Sequence, residues 1–335
     1  MKILLICNYK PGVGGISGQV EILQKKLAAD GHNSEIFSTK ASWLRRIALP
    51  FKLKSKGKEF DLFHIHCCSY WGFLPAVVGV TVGRKLKKRI VLTYHGGGGE
   101  TFFDKRPKLV RRFLTRTDTN IVLSGFLAKV FEQHGIPFVT IPNIIELDDT
   151  QFQPREQLQP NFICTRAHEP LYNIPCILRA FSKVQAERPE ATLTLVGDGS
   201  EHESLVKMSE ELGLQNVTFT GRVANEDIYT YLHQADILLS APKVDNMPVS
   251  LLEAMNAGLL VISSNVGGVP YMVKNNSTGL LFESGDSEAL AAKMLWSIEN
   301  QSIARTIILQ GHKSIANYRW EKIKDQLYTT YGIHS

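Results

Sequence analysis

The stretch SAPKVDNMPVSLLEAMNAGLLVISSNVGGVP, residues 240–270, is the most informative part of this chain. An apolar run at residues 237–239 predicts a buried strand, and a second apolar run at residues 259–263 predicts another. Between them, Pro248 suits the first turn of a helix, because that turn tolerates a residue without an N–H, and Gly258 suits its end. A strand, a helix and a strand in this order predict parallel strands in an α/β sheet.

Two carboxylates, Asp245 and Glu253, lie eight residues apart in this stretch. Asp245 falls in the loop after the first strand, and Glu253 falls inside the predicted helix. The helix start near Pro248 and a second predicted start at Gly267 and Gly268 are expected beside them, at the strand ends where open α/β sheets bind ligands. Carboxylates accept hydrogen bonds from hydroxyls, and helix N-termini attract phosphate oxygens. We therefore expect a ligand that carries both hydroxyls and phosphates.

The same stretch resembles the signature of retaining glycosyltransferases of family four (glycosyl transferases group 1), which usually read E-G-x-P-x-x-x-x-E-A-M-A-x-G-x-P-V. Asp245, Asn246 and Leu260 depart from that pattern, replacing its first glutamate, its first glycine and its second proline. The matching residues include Pro248, Glu253, Ala254, Met255 and Gly258. The resemblance implies the GT-B fold, in which two Rossmann-like domains with doubly wound parallel sheets face a cleft and a C-terminal helix crosses back to the first domain.

Strand and helix patterns alternate along the whole chain, with twelve short apolar runs separated by helical spacings. This alternation predicts two doubly wound parallel sheets. A polar stretch without periodicity, residues 146–160, is interpreted as a linker. With the resemblance, these patterns predict an acceptor-side domain over residues 1–150, a nucleotide-sugar-binding domain over residues 151–310 and the terminal helix within residues 311–335.

Composition narrows the class of protein. A chain of 335 residues is too long for one ordinary core, and 44% hydrophobic with 21% charged residues is typical of a soluble globular protein. No apolar run reaches the roughly 20 residues that span a bilayer. The five cysteines contain no C-x-x-C pair, which argues against a zinc site or a disulfide framework. These features predict a cytoplasmic protein.

Further candidate site residues stand at the ends of predicted strands. Arg166 follows the first strand of the second half, and His95 ends a strand of the first half. The resemblance implies that Arg166 faces a diphosphate, that His95 lies near the donor sugar, that Glu253 holds ribose hydroxyls and that Asp245 holds sugar hydroxyls. Tyr172 stands where the family usually has a phosphate-binding lysine, so one cation is absent. The donor-binding residues predicted are Gly14, Gly15, Gly197, Arg222, Val223, Asn246, Met247, Pro248, Val249, Gly267, Gly268 and Tyr172. No D-x-D motif is placed to hold a metal, and we expect neither a metal ligand nor a cofactor.

The function that we expect is transfer of a hexose-type unit from a nucleoside-diphosphate sugar to the hydroxyl of a glycan or lipid-linked acceptor. The resemblance implies retention of anomeric configuration and a place in bacterial-type polysaccharide, lipopolysaccharide or glycolipid assembly. Two alternatives stay open: a non-catalytic sugar-nucleotide-binding subunit, which the lysine missing at Tyr172 favours, and a nucleotide-sugar epimerase. A nicotinamide oxidoreductase is disfavoured, because the spacing of Gly12, Gly14 and Gly15 breaks the dinucleotide fingerprint.

The net charge of +6 is concentrated in the first half of the chain. In residues 43–52, basic residues interleave with Trp43, Leu44, Ile47 and Phe51, which predicts one apolar helical face that Pro50 must interrupt. Such a segment is typical of proteins that lie on an anionic membrane surface, here the inner face. A packed helix with a solvated basic rim is equally consistent with the pattern. No nucleic-acid-binding signature is present, so we do not expect a nucleic-acid partner.

Overall fold

Two parallel β-sheets organise the chain, as the alternating pattern predicts. The computed structural model describes residues 1–11, 15–146 and 148–333, without the side chains of Trp43, Leu44 and Asp149. Contacts divide the chain into a first unit, Met1–Glu146 with Tyr318–Ser335, and a second unit, Leu147–Asn317.

Within the described residues each sheet has six strands. The first unit has β1 (Lys2–Cys7), β2 (Asn33–Ser38), β3 (Leu62–Cys67), β4 (Arg89–Tyr94), β5 (Thr119–Val122) and β6 (Val139–Thr140), in the order β2-β1-β3-β4-β5-β6. The second unit has β7 (Asn161–Cys164), β8 (Thr192–Val196), β9 (Val217–Gly221), β10 (Ile237–Ser240), β11 (Leu260–Ser264) and β12 (Leu280–Phe282), in the order β12-β11-β10-β7-β8-β9. Each of the twelve predicted strands corresponds to an observed one.

Helices connect the strands and cover the sheets. They are α1 (Ile16–Ala29), α2 (Trp43–Arg46), α3 (Leu49–Lys56), α4 (Leu74–Lys85), α5 (Gly99–Lys105), α6 (Pro107–Leu114), α7 (Gly125–Gln133), α8 (Ile174–Glu187), α9 (His202–Glu211), α10 (Ile228–Leu232), α11 (Val249–Ala257), α12 (Val269–Met272), α13 (Ser287–Glu299), α14 (Gln301–Ser314) and α15 (Trp320–Tyr331). Because helices cover both faces of a parallel sheet, its strands are apolar along their whole length. Residues 3–7 of β1, for example, are all fully buried.

The last helix, α15, completes the core of the first unit. Trp320, Ile323 and Leu327 recur at helical spacing and are buried in the same cluster as Ile3 and Leu5 of β1. Polar contacts fix the helix as well, since the carboxylate of Asp30 accepts hydrogen bonds from the Trp320 indole at 3.0 Å and the Tyr328 hydroxyl at 2.7 Å.

The segment interpreted as a linker contains a buried anchor of the second unit, which corrects that interpretation for its later part. The guanidinium of Arg155 donates hydrogen bonds to the backbone carbonyls of Leu232 at 3.1 Å and Ala235 at 2.7 Å. It also forms an ion pair with Asp236 at 3.5 Å. Satisfying several carbonyls with one planar cation ties this segment to the ends of α10 and β10.

Candidate active site

A largely buried ion pair lies at the carboxyl ends of the central strands of the second sheet. Asp245 is in the loop after β10, and its carboxylate pairs with the guanidinium of Arg166, which follows β7. The side chains are 18% and 11% exposed, respectively. Since β7 and β10 are neighbours in the sheet, two residues 79 positions apart meet at one edge. This edge is where parallel α/β sheets bind ligands.

Two glycines press against the backbone of this pair. A Cβ atom on Gly267 would lie 2.0 Å from the carbonyl oxygen of Asp245, and one on Gly197 would lie 2.3 Å from that of Arg166. Both glycines also have positive φ, +52° and +148°, which other residues rarely adopt. The N–H of Gly268 donates to the Asp245 carbonyl at 2.9 Å. The sequence predicted that the Gly268 N–H would face a phosphate of the ligand. In the structure this N–H is engaged within the protein, where it holds the Asp245 loop in place.

The Arg166 guanidinium has two further neighbours. It donates to the hydroxyl of Ser250, in the first turn of α11, at 3.3 Å, and its central carbon lies 4.2 Å from the centre of the Tyr172 ring. Burial lowers the pKa of Arg166 from its usual value, although nearby Tyr172 and Glu253 oppose that shift. Among the described residues, Nε of Arg166 has no hydrogen-bond partner. The site therefore holds a desolvated, oriented cation with a spare donor.

The second carboxylate, Glu253, is half-buried on α11, one turn after Ser250. Burial raises the pKa of Glu253 to about 7, and the positive charge of Arg166 partly opposes the shift. A carboxylate with such a pKa is readily stabilised by hydrogen-bond donors from a ligand. The loop between the acids is tightly packed, since Asn246 and Met247 are buried. Pro248 precedes α11, which begins at Val249. Its side chain is apolar and cannot cap the N–H groups of the first helical turn.

Arg222 and Val223 follow β9, two strands from β7. They line a polar cavity together with Asp227 and Tyr231. The structure thus brings together Arg166, Tyr172, Asp245 and Glu253, with Gly197 and Gly267 behind them, and places Arg222 and Val223 in a separate recess of the same unit.

Sequence comparison identifies the family. The sequence model described as "Glycosyl transferases group 1" matches residues 148–314, and the one described as "Glycosyltransferase Family 4" matches residues 35–149. The chain belongs to the group 1, family-four glycosyltransferases. The two matches overlap at residues 148–149 and together cover most of both units.

Named relatives of this glycosyltransferase are distant. N-acetyl-alpha-D-glucosaminyl L-malate synthase of Bacillus anthracis is 24% identical over 82% of this chain and 75% of its own length. Phosphatidyl-myo-inositol mannosyltransferase of Mycobacterium leprae is 26% identical over 99% of this chain and 96% of its own.

Solved structures establish that the fold is GT-B. Sucrose-phosphate synthase of Thermosynechococcus elongatus superimposes with a TM-score of 0.82 at 20% identity, covering 99% of this chain and 98% of that one. Anabaena HepE, in complex with UDP-glucose, superimposes with a TM-score of 0.81 at 19% identity, covering 99% of both chains.

In the first unit of this glycosyltransferase, His95 is part of a histidine cluster. Its Nε2 lies 3.0 Å from Nδ1 of His66, and the His66 and His64 ring centres are 4.1 Å apart. His64 lies in turn 2.7 Å from the Tyr331 hydroxyl and 2.8 Å from the Thr93 hydroxyl. Burial lowers the pKa of both His64 and His95 to about 3, so these rings are neutral. The three histidines line a cavity of about 40 Å³, large enough for ordered water.

The glycine loop after β1 is described in part. Gly15 precedes α1 with a φ of +67°, and no group of the described residues lies within 4 Å of the position of its absent Cβ. Gly14 lies outside the described residues. An open glycine at a helix start is consistent with the predicted approach of a ligand to the backbone, which stays a prediction.

The sequence did not predict three side-chain contacts with the candidate site residues. Tyr172, interpreted as a missing cation, carries the Arg166 guanidinium on its ring, and Ser250 bonds to the same group. His66 of β3 contacts His95. In the described part of the chain, no three His, Cys, Asp or Glu side chains are grouped to hold a metal ion. No helix within those same residues has the length and apolar character needed to cross a membrane.

Proposed function

We propose that this glycosyltransferase transfers a sugar from a nucleoside-diphosphate sugar to an acceptor hydroxyl, with retention of anomeric configuration. The observation that carries the proposal is the largely buried pair of Arg166 and Asp245 beside Glu253, at the carboxyl ends of β7 and β10. One cation and two carboxylates suit a ligand with phosphates and hydroxyls. UDP-glucose bound to the structurally similar HepE also supports a donor of this class.

Each of the three residues has a distinct role in the proposal. Arg166 neutralises the diphosphate through its spare Nε–H, together with the first-turn N–H groups of α11, which the Pro248 side chain does not cap. Glu253 accepts hydrogen bonds from the ribose hydroxyls, and Asp245 accepts them from the sugar. Tyr172 positions Arg166 by stacking, so the site works without the lysine that the family usually has.

In the reaction, the bond between the anomeric carbon and the diphosphate oxygen breaks, and the acceptor oxygen bonds to the same face of that carbon. The acceptor proton passes to the leaving diphosphate. Positive charge that is already in place stabilises this leaving group as the bond breaks. In this proposal, protein groups alone meet the diphosphate charge, so transfer continues in excess chelator and requires no cofactor. His95 is proposed to hydrogen-bond a sugar hydroxyl as a neutral donor or acceptor.

We further propose that the acceptor is a lipid-linked or growing glycan at the inner face of a membrane. Relatives named as phosphatidyl-myo-inositol mannosyltransferases support an acceptor of this kind. The protein would then work on the membrane surface from the cytoplasm.

A screen of nucleotide sugars by thermal shift tests the donor. A ligand at a hundred times its dissociation constant stabilises the native state by about 2.7 kcal/mol, which raises the melting temperature by several degrees. The ligand that does so is then incubated with lipid and glycan acceptors, and the anomeric configuration of the product is read by NMR. A panel of uridine, guanosine and adenosine diphosphate sugars that leaves the melting temperature unchanged would contradict the proposal, and an inverted product would contradict retention.

A further inference from the structure

The first unit exposes an apolar surface that its own fold does not use. Among the described residues, the three large apolar side chains with the greatest exposure are Trp71, Phe51 and Ile47, which are 77%, 74% and 72% exposed. A single exposed apolar residue needs no explanation, but the three extremes of one protein in one region indicate a binding surface.

The local sequence turns Ile47 and Phe51 outward. Helix α2 ends at Arg46, and α3 starts at Leu49 with Pro50 in its first turn, as the proline predicted. Ile47 and Ala48 between the helices keep right-handed helical dihedral angles, so Ile47 and Phe51 project from one side, four residues apart. Leu49 and Leu53 on the other side are buried in the core of the unit. The helix is thus anchored without Phe51.

A second segment joins this surface. Trp71 lies in the short helical turn after β3, where Phe73 anchors the turn in the core and Trp71 points to solvent. The Arg46 guanidinium carbon lies 4.8 Å from the centre of the Trp71 ring, so the two segments meet. Tyr70 beside it is 55% exposed. The surface therefore differs from the single helical face that the sequence predicted. It keeps Ile47 and Phe51, gains Trp71 and Tyr70, and the predicted Trp43 and Leu44 side chains lie outside the described structure.

Positive charge surrounds this apolar surface. Between residues 36 and 58 the chain has seven lysines and arginines and no acid. Arg45, Lys52 and Lys54 are exposed. The ammonium group of Lys88 donates to the Lys58 carbonyl at 3.1 Å, which brings the basic stretch at residues 84–89 next to this one.

We propose that Ile47, Phe51, Tyr70 and Trp71, with the cations around them, dock this glycosyltransferase on an anionic lipid bilayer. Aliphatic and phenyl groups insert at the boundary of the acyl chains, indole and phenol rings lie at headgroup level, and cations contact lipid phosphates. Charge complementarity favours anionic over zwitterionic lipid. A nucleic acid would engage the cations but leave Ile47 and Phe51 in water. This inference rests on the proposed function only for its purpose, which is to bring the enzyme to a membrane-bound acceptor.

Flotation of the whole protein with phosphatidylcholine vesicles containing 0, 20 or 40% phosphatidylglycerol tests the proposal. Binding is expected to rise with the anionic fraction and to fall with salt, because screening weakens the attraction between the cations and the headgroups. Changing Arg45, Arg46, Lys52 and Lys54 together to Gln should weaken binding at least about tenfold. The matched control changes four cations of the second unit, Lys207, Lys274, Arg305 and Lys313, to Gln, and should bind as the parent does.

A second pair of variants isolates the apolar contribution. The variant in which Ser replaces Ile47, Phe51 and Trp71 should lose vesicle binding. The control variant, in which Ser replaces the exposed residues Leu212, Ile303 and Leu309 of the second unit, should retain it. Equal losses in a surface variant and its control would overturn the proposal, as would equal binding to neutral vesicles or preferential binding to RNA or to an acidic protein. Thermal shift with nucleotide sugars on the same variants separates the two proposals. Vesicle binding without donor binding would contradict only the proposed function, and donor binding without vesicle binding would contradict only the docking surface.

Discussion

Asp245 and Arg166, which lie in the loops after two neighbouring strands, form a largely buried ion pair, and a glycine packs against the backbone of each residue. The pair is rigid because Gly267 and Gly197 leave no space behind it. A pair of this kind orients a cation and a hydrogen-bond-accepting carboxylate before a ligand binds. Stabilisation of a departing diphosphate requires such a pre-oriented cation.

Replacing Asp245 by Asn should separate the roles of the two partners. The variant leaves Arg166 without its counter-charge in a buried place, so the free energy of unfolding should fall by about 3 kcal/mol. Turnover of the intact donor should fall at least about a hundredfold, while affinity for the free nucleoside diphosphate should be retained because Arg166 is intact. Denaturant unfolding, donor kinetics and calorimetry measure these effects. Glu299→Gln is the control, because it removes one partner of the more exposed pair with Arg188 and should cost less than about 1 kcal/mol. Loss of nucleotide affinity in Asp245→Asn equal to the loss in turnover would refute this division of roles.

Glu253 should make nucleotide binding depend on pH near neutrality. Burial raises its pKa to about 7, and the ionised form is the better acceptor for ribose hydroxyls. Affinity for the nucleoside diphosphate should therefore increase as pH rises from 6 to 8. Glu253→Gln should weaken binding by about ten- to a hundredfold at pH 8 and show a flatter pH profile. Parallel pH profiles for parent and variant would exclude Glu253 from the nucleotide site.

The same raised pKa predicts a change in stability. The native state holds the Glu253 proton more tightly than the unfolded chain, whose carboxyl has a pKa near 4.5. Stability from this group is therefore complete below pH 4.5 and is lost as pH rises through 7. The melting temperature of Glu253→Gln, relative to that of the parent, should therefore rise as the pH increases from 4.5 to 8. A constant difference across that range would show that Glu253 is solvated in the native state.

Tyr172 should act through its ring. Tyr172→Phe keeps the aromatic face under the Arg166 guanidinium and should retain donor affinity within about threefold, whereas Tyr172→Leu removes the cation–π contact, which is worth about 1–2 kcal/mol when desolvated, or roughly five- to thirtyfold. Donor dissociation constants for both variants check this. Equal affinity in Phe and Leu variants would mean that the stacking does not position Arg166.

The histidine cluster of the first unit should stay uncharged at physiological pH. Burial lowers the pKa of His64 and His95 to about 3, so their NMR signals should not titrate between pH 5 and 8. Because the unfolded histidines have pKa values near 6.5, the unfolded state binds more protons, and stability should fall as pH drops from 6.5 towards 3. His64→Gln should lose part of that dependence. Imidazole signals from these two residues that titrate near pH 6.5 would contradict the buried, neutral cluster.

Much of the fold could be predicted because its signals are local. Apolar runs of strand length, Pro248 at a helix start and Gly258 at a helix end indicate β10, α11 and β11 without tertiary information. Arg155 shows where this fails. It lies in a polar segment without periodicity, and its partners are backbone carbonyls about 80 residues away that no sequence pattern reveals.

The candidate site likewise has features that the sequence predicts and features that depend on tertiary packing. Asp245 and Glu253 were predicted from their spacing and from the strand ends, because parallel topology alone brings such residues to one edge of a sheet. The stacking of Tyr172 on Arg166 and the N–H of Gly268 used by Asp245 depend on how loops pack, which sequence periodicity does not specify. Trp71, in the turn after β3, joins the apolar surface of Ile47 and Phe51. This contact also depends on loop packing, so the sequence pattern did not predict it.

Calorimetric titration of the best nucleotide sugar into the parent, Arg166→Ala and Arg188→Ala tests whether Arg166 binds the diphosphate of the donor. Both arginines belong to the second unit and pair with an acid, but Arg166 alone lies at the ion pair beside Glu253. Arg166→Ala should weaken donor affinity by about ten- to a hundredfold, as loss of a hydrogen-bonded charge requires, while Arg188→Ala should bind the donor as the parent does. Unchanged donor affinity in folded Arg166→Ala would contradict the claim that this edge of the second sheet holds the diphosphate.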